Sequence, residues 1–395
     1  MTSTEARPLP LERSDPFDPP TGLRTADPIS PLLLSSGSTG WLVTRHSDAR
    51  EILADTRFSS DRTEVDSPVR PIPEEMRTKG SAPGMFIGMD RPEHTRYRKL
   101  LTGQFTVRRM QALEGRIAEI VDAHLDAMTS GGARTADLVG DFALPVPSLV
   151  ICELLGVRYT DRARFQQTTA GLLRLDNTPE QIRASRNSLR EFMYALVEGK
   201  RAEPDEALIS GLIADTDLTD EELVNIATLL LIAGHETTAN MLALGTFALL
   251  THPEQLSRLR AQPELIPRAV EELLRYLSIV HIGPIRVATE DLEIGGVHIE
   301  AGQTVLISLP MANRDSELVA QPDDLDVSRA RTHHLAFGHG VHQCLGQQLA
   351  RSEMTIGFAA LLSRLPELTL AIPATGVPMR TDMAIYGVHS LPVRW

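Results

Sequence analysis

Between Pro92 and about Pro267 apolar residues recur every three or four positions, the spacing that lines one face of a helix, and the run predicts a mainly helical stretch. It breaks where turn residues gather, at SGGAR (130–134) and RAEPDE (201–206). Thr219, followed three residues later by Glu222, forms a capping box; helical composition then runs to Leu250, and Pro253 stops it. Such a helix is roughly 45 Å long. It would cross a whole domain, so its middle is expected to be interior even though it carries Gly234, His235, Glu236, Thr237 and Thr238.

The flanks read differently. GWLVTRH (40–46) predicts a strand, and SDAREILAD after it a short helix with Ser47 as N-cap. From Ser59 to Asp90 no helical or strand period is sustained, and loops this long are functional or disordered. After IPRAVEELLRYL (266–277) come short strands separated by turns at Gly295-Gly296 and Ala301-Gly302, which predict a small antiparallel sheet. A helix from Leu345 to about Leu365 and a strand-like end complete the chain. No repeat or linker divides it. The expectation is one domain over 1–395, mainly α with small β-sheets (α+β), helical over about 92–280 and β-rich over about 281–395, with residues 1 to about 20 flexible.

Composition narrows the chemistry. Hydrophobic residues make up 42%, charged residues 23%, and the net charge is -13, values of a globular protein that lacks the cationic face needed to bind phosphates. No nucleic-acid partner is expected. The N-terminus has no apolar signal core, and IATLLLIAG (226–234) is too short to span a bilayer, so no membrane association is expected. Cys152 and Cys344 lie too far apart in sequence to suggest a disulfide framework, which suits a cytoplasmic protein acting on small molecules.

Cys152, inside SLVICELLGV, reads as a core residue. Cys344 is different. It sits in LAFGHGVHQCLGQQLAR (335–351), just ahead of a helix whose unpaired N–H groups and dipole can stabilise a thiolate. Gly338, Gly340 and Gly346 remove side chains around it, so a large flat group could approach the backbone. A thiolate in that setting fits an axial ligand to haem iron. A core cysteine, or a zinc site with His339 and His342, are the other readings of these residues.

FGHGVHQCLG (337–346) resembles the cysteine-ligand loop of the cytochrome P450 family, F-G-x-G-x-H-x-C-x-G, at every fixed position. The family's A-G-x-E-T is present as AGHETT (233–238), its E-x-x-R as ELLR (272–275), and its H-x-x-x-R as His94 and Arg98. The resemblance runs from about residue 41 to 395 and implies a triangular single domain with a long central helix. It implies haem b with Cys344 as axial ligand, and haem carboxylates held by His94, Arg98, Arg286 and His342. Ala233, Phe337, Gly338 and Gly346 would lie against the haem.

Glu236 and Thr237 are implied as the catalytic pair that brings protons to dioxygen. On local grounds alone, Thr237 could equally back-bond to a helix carbonyl and Glu236 pair with a cation. Glu272 and Arg275 are implied as a brace for the cysteine loop. Asp324 stands where a third, basic partner is common, which leaves Arg329 as the candidate. Substrate contacts are expected from the loop before Asp90, from residues 172–175, and from Leu229, Ile232, Ala233, Val280, Ile282, Ile285, Ile385 and Tyr386.

The function implied is that of a cytoplasmic, monomeric monooxygenase that uses dioxygen and two electrons to hydroxylate a bulky, mostly apolar molecule. A polyketide or macrolide, a terpenoid, a steroid-like compound or a xenobiotic would fit. Electrons would come from a ferredoxin and its NAD(P)H-dependent reductase. Alternatives are a haem-thiolate enzyme performing epoxidation, phenol coupling or peroxide-driven oxidation and, more distantly, a non-catalytic haem or zinc protein.

Overall fold

The computed structural model describes residues 5–61, 63, 65–69, 80–157 and 174–395. In chain order its helices are α1 (His46–Ala54), α2 (Glu93–Thr102), α3 (Val107–Ser130), α4 (Pro145–Leu155), α5 (Pro179–Ala202), α6 (Leu208–Asp215), α7 (Asp220–Thr251), α8 (Pro253–Ala261), α9 (Ile266–Leu277), α10 (Leu309–Ala312) and α11 (Gln347–Arg364). Its strands are β1 (Ile29–Leu33), β2 (Thr39–Val43), β3 (Phe58–Ser59), β4 (Thr135–Asp137), β5 (Ile285–Ala288), β6 (Leu292–Ile294), β7 (Val297–Ile299), β8 (Thr304–Ile307), β9 (Thr369–Leu370) and β10 (Pro392–Arg394). These elements gather into two compact units, each drawn from separated stretches: Met1–Arg98 with Leu274–Leu325 and Arg331–Leu345, and Lys99–Leu273 with Asp326–Ala330 and Gly346–Trp395.

The first unit is built on a five-stranded sheet in the order β1-β2-β8-β5-β3. The small antiparallel sheet expected in the C-terminal half is split: β5 pairs antiparallel with β8 in this five-stranded sheet, while β6 and β7 form a separate two-stranded hairpin. It is not antiparallel throughout, because β8 also pairs in parallel with β2 from the N-terminus, Trp41 opposite Val305. All four residues of β8 are buried, as a strand covered on both faces requires, and its apolar run TVLI suits that position.

Helix α1 packs Ala49, Ile52 and Leu53 into the same core as Val43, Phe58 and Ile307. It starts at His46 with Arg45 at the cap, so Ser47 lies inside the first turn and is not the N-cap. A carboxylate does the capping: Oδ2 of Asp315 accepts the His46 N–H at 2.8 Å. Within the N-terminal stretch expected to be flexible, Arg7 is bridged to Leu32 and Phe17 is buried.

The second unit is helical. The capping box forms as expected, Glu222 N–H to Thr219 Oγ1 at 3.3 Å and Thr219 N–H to Glu222 Oε2 at 2.8 Å, and starts a helix of 32 residues, about 48 Å long. Helices α4, α5 and α11 pack around α7, and from Thr238 to Leu249 each of its residues is buried. Pro253 takes the first position of α8, where its missing N–H leaves no bond unmade. Helix is not continuous from residue 92 to 267, however. Thr135–Asp137 forms β4, whose partner β10 lies at the far end of the chain, and a π-helical turn at Val139–Ala143 follows it.

Candidate active site

Cys344 follows a tight turn in the first unit. Its N–H donates to the Phe337 carbonyl at 2.9 Å, and Gly338 N–H donates to the Leu335 carbonyl at 2.8 Å. Gly340 has a φ of +72°, and a Cβ there would stand 2.1 Å from the Leu53 carbonyl oxygen. The glycine therefore lets the cysteine loop lie directly on the end of α1. Around Gly338 and Gly346 a Cβ would meet nothing within 4 Å, so neither glycine is demanded by a close neighbour in the chain. Cys344 is half-buried and outside any disulfide, whereas Cys152 is in the core.

Cations collect beside this loop. Arg98 donates from Nη2 to the Gln343 carbonyl at 2.7 Å and is close enough to Cys344 to feel its charge, while burial pulls its own pKa down. One turn earlier on α2, His94 is 2% exposed and its ring centroid lies 4.1 Å from that of His342. Burial holds His94 below the usual imidazole range, Arg98 adds to this, and Arg286 contributes in the same direction from β5. Nε2 of His94 is buried and has no hydrogen-bond partner among the described residues.

Arg286, which is buried, and the half-buried Arg98 stand beside a pair of imidazoles, one with an unsatisfied nitrogen, and form a site that calls for anions. The two carboxylates of haem fit it, with the cysteine sulfur on the same loop as His342. The zinc reading fits less well. Among the described residues no three His, Cys, Asp or Glu side chains are gathered to hold a metal ion.

In the second unit, α7 separates the acid from the alcohol. Glu236 is 2% exposed and pairs with Arg380, Nη2 to Oε2 at 2.8 Å. Thr237, half-buried, donates its hydroxyl to the Ala233 carbonyl at 2.7 Å. That bond uses the threonine's proton and leaves its oxygen able to accept. Ala233 is exposed on this stretch of helix.

Glu272 accepts from Arg329 Nε at 3.0 Å and from the Asp326 N–H at 3.1 Å. Arg275 is fully buried and spends its guanidinium on main-chain carbonyls: Pro322 at 2.7 Å, Asn313 and Asp324 each at 3.1 Å. Asp324 thus serves Arg275 through its backbone, which accounts for an acidic side chain at that position. A neighbouring pair, Glu271 with Arg351, links α9 to α11 at 2.5 Å; sequence spacing gave no hint of it.

Among the expected substrate contacts, Leu229, Ile232, Val280, Ile282, Ile285 and Ile385 are half-buried, and Tyr386 is buried. Val280 and Ile285 lean on the apolar clusters of the first unit. Residues 172 and 173, and much of the loop before Asp90, lie outside the described residues. Arg380 was not anticipated, because its partner is 144 residues away and no local pattern marks it.

Comparison with known proteins gives the same picture. The family model for cytochrome P450 matches residues 41–382. Cytochrome P450-SU2 of Streptomyces griseolus is 49% identical, with 99% of this chain and 98% of the relative aligned. Pentalenic acid synthase of Streptomyces avermitilis is 48% identical over 98% of this chain and 97% of the relative. The crystal structure of CYP105P1 in complex with filipin I superposes with a TM-score of 0.91 at 44% identity, covering 99% of each chain.

Proposed function

Because the chain belongs to the cytochrome P450 family, and is therefore a haem monooxygenase with a cysteine thiolate ligand, we propose that Cys344 supplies that thiolate and that His94, Arg98, Arg286 and His342 hold the haem carboxylates. The observation that carries this assignment is the buried, unpartnered Nε2 of His94 inside a cationic cluster beside the cysteine loop. When bound, the haem supplies the oxidative chemistry: two electrons and two protons convert dioxygen into one oxygen atom inserted into substrate and one water.

The chain's own residues do the rest. Arg98, beside Cys344, stabilises the sulfur as thiolate. Thr237 keeps its proton on the Ala233 carbonyl and accepts a hydrogen bond from a water at the site, while Glu236 takes up and gives back a proton as carboxylate. Phe337, Gly338, Gly346 and Ala233 would offer apolar or bare backbone surface to a bound haem. Glu272 and Arg275, with Arg329, fix the segments that precede the cysteine loop.

The substrate class we propose is a bulky, mostly apolar natural product. The half-buried aliphatic side chains of Leu229, Ile232, Val280, Ile282, Ile285 and Ile385 suit such a molecule. Relatives named for pentalenic acid synthesis and crystallised with filipin I support this choice. Like others of its family the enzyme draws electrons from a redox partner; we assign that partner as a ferredoxin with an NAD(P)H-dependent reductase. We place the reaction in the cytoplasm, where two cysteines outside any disulfide are at home.

The test is the absorption spectrum of the reduced protein under carbon monoxide, for wild type and Cys344→His. A strongly red-shifted Soret band in wild type alone supports the assignment; the same band in Cys344→His sinks it. Titration with polyketides, terpenoids and steroids, read as a change of iron spin state, tests the substrate class, and silence across all three would reject it.

A further inference from the structure

The pairing of Glu236 with Arg380 is not a feature of the helix alone. Arg380 lies on a hairpin of the second unit, where Met379 bridges Val388 and the Arg380 N–H donates to the Gly387 carbonyl at 2.9 Å. The hairpin is pinned to α7 twice. Arg380 reaches Glu236, and Gly387 sits so close to Asn240 that a Cβ would stand 2.0 Å from its Oδ1. Asn240 in turn donates to the Glu236 carbonyl at 2.7 Å and to Oε2 at 3.4 Å. The outer end is tied down by Asp382, which accepts from His389 at 2.6 Å and from Arg174 at 3.2 Å. Ile385 and Tyr386 lie between these anchors.

We infer that Arg380 is a positioning residue for Glu236: it holds the buried carboxylate ionised and confines it, from a hairpin that also carries the apolar residues Ile385 and Tyr386. A carboxylate this deeply buried would take a proton and stay neutral without a cation beside it. Among the described residues both hydrogen bonds to the carboxylate fall on Oε2, which leaves Oε1 to receive a proton from water and pass it on, with no net change in Glu236. The adjacent His235 is fully buried, and burial depresses its pKa, so it stands beside the pair as a neutral ring. Arg380 itself has little freedom, since its guanidinium is buried; among the described residues its Nε has no partner. The arginine's grip therefore rests on the one carboxylate it touches.

The inference rests on the reading of Glu236 as a proton-handling group, but the two can be tested apart. The infrared spectrum of the holoenzyme, its fold checked by the haem Soret band, reports whether Glu236 is protonated without any turnover. Arg380→Met should add a protonated-carboxyl stretch to the wild-type spectrum; adding Glu236→Gln should abolish the added band, and Arg380→Lys should show little of it. Folded Arg380→Met without that band would overturn the inference. Gly387→Ala provides a second test should the methionine variant not fold: pushing the hairpin from Asn240 should produce the same band, and its absence would equally overturn the proposal. Proton handling by Glu236 is a separate matter, and falls if Glu236→Gln leaves the split between product and peroxide unchanged.

Discussion

The imidazole rings of His94 and His342 lie with centroids 4.1 Å apart, tilted by 48°, and the inner ring has a nitrogen that the chain leaves unsatisfied. The arrangement brings a helix and the cysteine loop to one anion site. Replacing His94 by Phe keeps the ring volume and removes the donor. A hydrogen bond to a charged group contributes about 1.5–3 kcal/mol. Haem transfer to excess apomyoglobin should therefore run at least roughly tenfold faster than in wild type. An unchanged transfer rate would show that His94 does not hold the haem.

Gly340 joins the cysteine loop to α1 by backbone contact, with a positive φ and no room for a Cβ against Leu53. Gly340→Ala should cost about 1–3 kcal/mol through strain, read by thermal unfolding of the holoprotein. It should also shift part of the carbon monoxide band away from the thiolate position, since the loop must lift to relieve the clash. Gly115→Ala, on α3 with open space around its Cβ, serves as the control and should do neither.

Thr237 spends its hydroxyl on the Ala233 carbonyl within its own helix, so truncating it leaves the helix intact. Thr237→Ala should still consume dioxygen and electrons, while product per electron falls by on the order of tenfold and peroxide rises to match. Electron-to-product coupling equal to wild type would remove Thr237 from the mechanism.

Glu353, on α11, is 2% exposed, has an unpartnered Oε2, and is pushed well above the usual carboxylate range by burial. Its folded pKa lies above its unfolded one, so the folded chain is favoured below the unfolded value and loses that advantage as pH rises toward the folded value. Across that window each pH unit costs wild type about 1.4 kcal/mol. Glu353→Gln has no such penalty. Denaturant midpoints of the two proteins should converge in acid and separate as pH rises, with the glutamine variant the more stable; parallel curves would show that Glu353 is not kept neutral.

What the sequence determined by itself was whatever is written within a few residues. The capping box at Thr219 and Glu222, the hairpin turn at Gly295-Gly296 and the start of the C-terminal helix just past Cys344 all depend on contacts over two to four positions, and each stands where it was expected. The cysteine-loop motif was legible for the same reason: glycines, histidine and cysteine lie within ten residues. Even Arg329 could be named as the neighbour of Glu272, once an acidic side chain was seen at position 324.

Tertiary structure decided everything that depends on distant chain segments meeting. The parallel pairing of β2 with β8 and the antiparallel pairing of β4 with β10 have no local period to announce them. Ser47 is a good capping residue, yet the cap of α1 is Asp315, because a carboxylate brought in from far along the chain reaches the His46 N–H first. The environment of Glu236 is the clearest case. Its sequence neighbours mark an acid beside an alcohol in a helix, but the carboxylate is only 2% exposed, and an ion so far out of bulk solvent needs a partner. The fold supplies one in Arg380, 144 residues away.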